Sequence, residues 1–502
     1  MAFIRKKRQG NRVYLVEVEN YRDGDKVRQR FIRYIGVDSE SEKKDVPLYP
    51  KDITVENVKI YGPIIVLEHI ARELGLYELL GDIAEPIMAL VFAHCLNYKS
   101  VREVENWLKK VELPKCQETT SKHLYEAISK LSKINPDWLQ ESIFENMTTL
   151  LGSDDSGVIY DATNTYLAGS RSSIAQKGND KEGVRGRKLI QIGLGVTRRY
   201  GFPIFHHVRP GNIHDVNMFK EAIFHFDTLG TKKGIMVFDR GITSKECISR
   251  LSSTGWKSLA GVPLHKGIKK LISNLDLNGM KNFRNLVLQG ETEFFTKSVK
   301  FDMGDIPGKL IILLNAKKRE SLARKRRLEI TKAKKQLEND PDKIIDCNIM
   351  DFFNNNYEIN HHAVKRREKY DGLSFIFTDA RIKIDEAVRM YFAKDLIEQC
   401  FKLEKSVLKI NPIRMWLDEN IKSHALICHL GLVLLTTVRF RLHKNDISMH
   451  PSTVLGKLDT IYKVYFSGKT KRVKEQIFFS KVNTMSKSQK ELIHAIAPNL
   501  DL

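Results

Sequence analysis

The sequence predicts an α/β protein with a mixed sheet flanked by helices, and three observations carry that class. From Gly157 onward, apolar runs of strand length alternate with amphipathic helical segments. Two of those runs stop at an aspartate. A basic, β-rich segment and then a helical segment precede them. The length of 502 residues allows several domains and a sizeable core, and 42% apolar with 29% charged residues is a globular composition. The formal net charge of +22 is unusual. Such an excess predicts a polyanionic partner, because each cation placed beside a phosphate releases counterions.

A membrane surface and a nucleic acid are the two candidate polyanions. No run reaches the roughly 18 apolar residues that span a bilayer. The nearest, His424–Phe440, is interrupted by His429 and Arg439 and reads as a buried core helix. Nucleic acid is therefore expected and a membrane is not. The six cysteines (Cys95, Cys116, Cys247, Cys347, Cys400, Cys428) include no CxxC pair and no zinc-ligand spacing, as for reduced, mostly buried thiols of an intracellular protein. MAFIRKKRQG is not followed by an apolar h-region, so no secretory signal is expected.

Residues 1–50 alternate in strand fashion, NRVYLVEVENY and KVRQRFIRYIGV about a turn at Arg22–Asp25, and predict a basic β-hairpin. Residues 51–150 change to a helical period and predict short amphipathic helices, either a helix-turn-helix type of DNA reader or a plain bundle. Residues 151–262 read as strand (VIYDAT), hairpin (LIQIGLGVT, FPIFHHV), helix (VNMFKEAIFHF), strand (GIMVFD), helix (SKECISRLSST) and strand (WKSLAGV). Residues 263–380 hold further strands (LVLQGETEFFTKSVKFDM, KLIILLNA, GLSFIFT) around a basic helix. Residues 381–445 return to helix, and 446–502 form a basic, weakly patterned tail.

One segment, Asp385–Lys409, predicts a single helix with two distinct faces. At about 100° per residue, Tyr391, Lys394, Glu398 and Lys405 fall within about 60° of one another. Ala393, Leu396, Cys400, Leu403 and Val407 form the opposing apolar stripe. The decorated face suits a carboxylate that binds a metal beside cations that bind phosphates. It also suits a solvated face with helical ion pairs.

Asp161 ends Val158–Tyr160 and Asp239 ends Ile235–Phe238. Ligand-binding groups collect at the carboxyl ends of strands in open α/β sheets. Two such carboxylates with Glu398 would make an all-oxygen cluster suited to Mg²⁺ or Mn²⁺. Two ions about 4 Å apart could activate one oxygen and stabilise the leaving one in phosphodiester cleavage. The competing role for each aspartate is a helix N-cap or Asx turn. Asp154 and Asp155 sit in a Ser-Gly loop and rank lower. His206, His207, His214, His361 and His362 lack paired ligand spacing and read as surface or packing residues.

The spacing Tyr391-x2-Lys394-x3-Glu398-x6-Lys405 resembles the Y-x2-R-x3-E-x6-K motif of bacterial insertion-sequence transposases, enzymes with an Asp-Asp-Glu triad on a ribonuclease-H-like fold. DAT at Asp161 and DRG at Asp239 resemble that family's first and second acidic motifs, in the same order. The long segment before Glu398 resembles its β-rich insertion domain, and the basic hairpin ending in IRYIG resembles a subgroup. The resemblance implies a ribonuclease-H-like mixed sheet, with Asp161, Asp239 and Glu398 catalytic and binding two Mg²⁺ or Mn²⁺ ions. Tyr391, Lys394, Lys405 and Arg240 would contact DNA. It implies cutting at element ends, joining of the freed 3′-hydroxyl to target double-stranded DNA, a homodimer on DNA, and a cytoplasmic, nucleoid-associated location.

Two departures stand out. Position 394 is Lys where the family has Arg, which keeps the charge and loses the bidentate fork. Between Val262 and Met390 there is no Trp to hold a flipped base; Phe352, Phe353 and Tyr357 could stack on one or pack in a core. From Lys317 to Lys335 ten Lys or Arg face two Glu, a run that fits DNA backbone contact. Alternative functions are a metal-dependent nuclease that does not join strands and a catalytically retired DNA-binding derivative.

Overall fold

The computed structural model describes residues 2–9, 12–37, 53–96, 99–169, 171–228, 233–273, 276–339, 346–468 and 477–500. The chain divides into two compact units, residues 1–58 with 463–482 and residues 59–462 with 483–502.

In the smaller unit, β1 (Ala2–Gln9), β2 (Arg12–Asp23) and β3 (Lys26–Val37) form an antiparallel sheet. The β2–β3 connection closes on the Asp23–Lys26 pair, with Gly24 at φ +62°, a conformation that costs glycine little. β1 is a third strand that the sequence reading omitted, since AFIRKKRQ has too few apolar residues to show a period. β4 (Ile53–Ile60) belongs to a second small sheet.

The larger unit opens with six helices: α1 (Gly62–Glu73), α2 (Leu76–Leu80), α3 (Ala84–Leu96), α4 (Val101–Leu108), α5 (Ser121–Leu131) and α6 (Pro136–Leu151). Their starts carry the expected chemistry. Ser100 and Glu103 make a reciprocal capping box on α4, and Asn135 accepts from the Asp137 amide at 2.9 Å ahead of Pro136 on α6.

There follow β5 (Val158–Tyr166), β6 (Gln176–Lys177), β7 (Lys188–Thr197), β8 (Pro203–Pro210), α7 (Asp215–Thr228), β9 (Ile235–Phe238), α8 (Lys245–Ser253) and β10 (Lys257–Gly261). Next come α9 (Lys266–Leu271), α10 (Leu277–Met280), β11 (Leu286–Gln289), β12 (Thr292–Met303), β13 (Ile306–Leu314), α11 (Ala316–Asn339), α12 (Cys347–Met350), α13 (His361–Glu368) and β14 (Leu373–Thr378). All these strands join one ten-stranded sheet, ordered β11-β12-β13-β14-β10-β9-β5-β7-β6, with β8 also on β7. β5, β9 and β10 run parallel, and antiparallel strands flank them on both sides. The strands of residues 263–380 thus extend this sheet, because β14 pairs with β10 along Leu259–Gly261.

Alternation assigns the two faces of the central strands. Val158, Tyr160, Met236, Phe238 and Ala260 enter a core with Phe219 and Phe226 of α7 and Ile248 and Leu251 of α8. The opposite face carries Ile159, Val237 and Leu259, and is covered by the helices that follow β14.

Those helices correct the expected single helix over 385–409. α14 (Ile384–Phe392) stops, Ala393 and Lys394 lie between, and α15 (Asp395–Ser406) begins anew. α14 packs on β9, β10 and β11, and α15 on β5 and β7, so the break lies over the β9–β5 boundary. One straight helix could not follow both sites on the twisted sheet. α16 (Asp418–Lys444) and α17 (Pro451–Leu458) then lead to β15 (Tyr462–Gly468), β16 (Ile477–Val482) and α18 (Lys487–Ile496). The region read as a weakly patterned tail therefore holds regular elements among its described residues; β15 pairs with β16 and with β4 in the second small sheet. Two stretches, Leu76–Leu96 and α16, are long and apolar enough to cross a bilayer, contrary to the sequence count, but 67% and 89% of their apolar windows are buried, as in core helices.

Candidate active site

Asp161 is not at the end of its strand. β5 continues to Tyr166 against β7, but its pairing with β9 stops at Tyr160–Phe238. Asp161 and Asp239 are thus the next residues in register across two parallel strands, where neighbouring chains lie about 4.8 Å apart. On the far side of β9, pairing with β10 stops at Phe238–Ala260, which puts Gly261 in the same row. By alternation the row Asp161–Asp239–Gly261 lies on the face opposite the aromatic core, beneath the α14–α15 break.

Gly261 has a steric reason to be glycine. A Cβ there would lie 3.1 Å from the Arg240 amide nitrogen and collide with the Tyr391 hydroxyl. In that space the hydroxyl donates to Asp239 Oδ1 at 2.8 Å. Lys394 Nζ reaches the same oxygen at 3.1 Å and stands 5.0 Å from the Tyr391 ring centroid. Tyr391 is only 9% exposed, not the solvated residue of a helix face. The Asp239 carbonyl accepts from the Ile242 amide and the Thr243 hydroxyl, both at 3.1 Å, which fixes the turn carrying exposed Arg240. Arg240 shares with Asp239, Tyr391 and Lys394 the lining of a cavity of about 340 Å³.

The two aspartates differ electrostatically. Burial, with the charges of Asp239 and Asp215 adding to it, pushes Asp161 up to about 6, against the opposing pull of Lys181 and the Ala162 amide. Burial alone would raise Asp239 too. The Lys394 ammonium, the Arg240 amide and the Tyr391 hydroxyl instead hold it below the ordinary carboxylate range. Burial and then the Asp239 charge push the Tyr391 phenol well up, so it is a donor at neutral pH.

Two residues that the sequence reading missed complete Asp161's surroundings. Lys181, on the loop after β6, donates to the Ala162 carbonyl and pairs with Asp215 at 3.1 Å. That loop is held to β5 by Asn164 Nδ2 donating to the Asn179 carbonyl at 2.8 Å. Lys181 lies in a loop and Asp215 at the start of α7, neither in a motif, and only the fold brings them to β5.

Glu398 and Lys405 lie elsewhere. Glu398 is exposed on α15 and lines a shallow depression with Glu182 and Lys402, and Lys405 pairs there with Glu182 at 3.9 Å. Among the described residues, no three His, Cys, Asp or Glu side chains converge as metal ligands. Asp161 and Asp239 fit a divalent cation as a pair: both offer only oxygen, the Asp239 charge helps to raise Asp161, and Mg²⁺ commonly takes one or two carboxylates while keeping waters. The expected three-carboxylate cluster is not assembled, because the helix break swings Tyr391 and Lys394 onto Asp239 and leaves Glu398 in solvent.

Of the remaining candidates, Asp154, His206, His207 and Phe353 have structural partners. Asp154 accepts from the Arg199 and Tyr200 amides at 3.1 and 2.9 Å and so ties the β7–β8 turn. His206 stacks on His429 with centroids 4.5 Å apart, and His207 Nε2 lies 2.8 Å from the Tyr160 hydroxyl. Phe353 packs with Ile330, Ala333 and Leu337 in a small separate core.

Residues 152–434, more than half of the chain, match the family described as Transposase DDE domain. The chain belongs to the DDE transposase family, and it is a DDE transposase. No curated protein matches it. Among solved structures, a piggyBac transposase synaptic complex with hairpin DNA, determined by cryo-EM, is similar at 10% identity and a TM-score of 0.39, over 79% of this chain and 76% of that one. The matched segment of this transposase begins just before β5 and ends within α16, so it contains the Asp161–Asp239 row and the α14–α15 break.

Proposed function

We propose that this transposase cuts the ends of an insertion sequence and joins the freed 3′-hydroxyl to target DNA at the Asp161–Asp239 site. The row of two aspartates beneath Tyr391 and Lys394 carries the proposal, because it sets two carboxylates beside a phenol that orients one of them and a cation suited to phosphate. The order β8-β7-β5-β9-β10, three antiparallel strands and then two parallel ones, supports a ribonuclease-H-like core.

In this mechanism Asp161 and Asp239 would hold the divalent ion, and Glu398 is the third carboxylate that the family's motif implies for it. The chemistry the ion supplies is activation of the attacking oxygen and stabilisation of the leaving oxygen. Tyr391 orients Asp239 by its hydrogen bond. Lys394, Arg240 and Lys405 hold phosphates of double-stranded DNA, which at a net charge of +22 is the partner the whole chain suits. Lys394 does so as a point charge rather than a fork.

The test uses duplexes carrying the DNA that flanks the gene. The transposase should cleave at the element boundary with Mg²⁺ and then join a pre-cut end bearing a 3′-hydroxyl, but not a 3′-dideoxy end, to a second duplex. Cleavage without joining would make the protein a nuclease instead.

A further inference from the structure

Between α11 and α13 lies an open cleft of about 870 Å³ whose lining differs from that of the Asp161–Asp239 site. Lys269 of α9, Lys325 of α11, Arg366 and Arg367 of α13, and Lys369 all face it. These residues are up to a hundred positions apart, so no single helix face explains why their charges converge. Like charges gathered in one concavity repel, and an anion relieves that repulsion.

Several of these cations are also held in place. Arg326, 8% exposed, forms the floor: its Nη2 lies 2.6 Å from each oxygen of Asp371, its Nη1 lies 3.8 Å from Glu368, and Nη1 has no hydrogen-bond partner among the described residues. The Lys269 ammonium stands 5.5 Å over the Tyr370 ring, and Lys369 donates to the Ser273 carbonyl. Arg366 and Arg367 are different. Both are exposed in the last turn of α13 and have no ion-pair partner among the described residues. Two adjacent guanidinium forks left uncompensated at the rim match phosphate oxygens in geometry and charge. Among the lining residues themselves the acids are Glu329 and Asp351, and Lys325 pairs with Glu329 at 3.8 Å; Asp371 and Glu368 compensate Arg326.

We propose that this cleft binds the phosphate backbone of a duplex DNA segment, as a contact separate from the Asp161–Asp239 site. The proposal rests on DNA being the substrate. Phosphate contacts of this kind add affinity and salt dependence and read no sequence.

The experiment measures binding of the full chain to a fluorescein-labelled duplex of arbitrary sequence by anisotropy across a salt series. The Arg366→Gln/Arg367→Gln double variant should flatten the slope of log Kd against log salt by about 2, since each lost phosphate contact removes about 0.9. A second double variant, Lys487→Gln/Lys490→Gln on α18, removes the same charge away from the cleft and should leave the slope unchanged. Thermal melting of both variants should match the parent, because all four side chains are exposed or lie at the rim. An unchanged slope in the α13 variant overturns the proposal and leaves the cleft to another anion, such as an acidic protein segment. Equal flattening in both variants also overturns it, because bulk charge alone would then explain the effect. If the parent chain fails to bind duplex at all, the DNA reading itself falls; if the parent binds and only the slope prediction fails, this site alone does.

Discussion

A single carboxylate oxygen, Asp239 Oδ1, receives both the Tyr391 hydroxyl at 2.8 Å and the Lys394 ammonium at 3.1 Å. The lysine sits where a divalent cation held by Asp239 would exert its charge. Its ammonium must therefore move, or share the oxygen, when such a cation binds. A partly exposed ion pair of this kind contributes little to stability, and its main effect is competition.

Lys394→Gln should consequently bind Mn²⁺ more tightly than the parent, by roughly tenfold for about 1.4 kcal/mol of relieved competition. Titration followed by the free Mn²⁺ electron-spin signal measures this directly. Equal or weaker binding in the variant would mean that Lys394 does not compete at Asp239. Its DNA affinity should fall, because the same side chain is assigned to a phosphate.

Gly261→Ala should destabilise the protein by about 1–3 kcal/mol through overpacking against Tyr391. The same substitution made in Tyr391→Phe should cost less, since the hydroxyl that a Cβ would strike is gone. Chemical denaturation of the four proteins in the cycle gives the coupling. Additive costs would show that Gly261 does not make room for the hydroxyl.

A separate prediction concerns Glu404, 1% exposed on α15, whose carboxylate oxygens have no hydrogen-bond partner among the described residues. Burial, only weakly opposed by the Lys405 charge, pushes it from an ordinary 4.5 up to about 8. A raised folded value means that the native state holds a proton the unfolded chain has lost, so stability falls as pH rises from about 4.5 through 8. The Glu404 contribution should weaken by on the order of 2 kcal/mol between pH 6 and 8. Glu404→Gln should flatten that part of the profile, as measured by urea denaturation at each pH. An unchanged profile would mean that Glu404 titrates as an exposed residue does.

Much of this was legible in the chain, for local reasons. The strands around Asp161 and Asp239 are short apolar runs, and the period shifts after β8 and β9 marked α7 and α8. Other features depend on pairing at long range. Asp161 looked terminal because the apolar run stops there, whereas β5 continues through Ala162-Thr-Asn-Thr-Tyr166 by pairing with β7. The α14–α15 break was invisible because Ala393 and Lys394 are good helix formers, and packing on two parts of a twisted sheet overrides that propensity. A helical wheel therefore grouped Tyr391 with Glu398, although one is buried on Asp239 and the other is in solvent. Lys181 and Asp215 become meaningful only by long-range contacts, and Gly261, although inside a strand that the sequence marks, only by its register beside Asp239.

If Asp161 and Asp239 together make the cleaving site, cleavage needs both carboxylates. The most direct measurement is Mg²⁺-dependent cleavage of an end-bearing duplex by Asp161→Asn and Asp239→Asn, with DNA affinity recorded alongside. An ion held by these carboxylates contributes several kcal/mol, so each variant should cleave at least about a hundredfold more slowly while binding DNA as tightly as the parent or more tightly. Full cleavage by either variant would contradict the assignment.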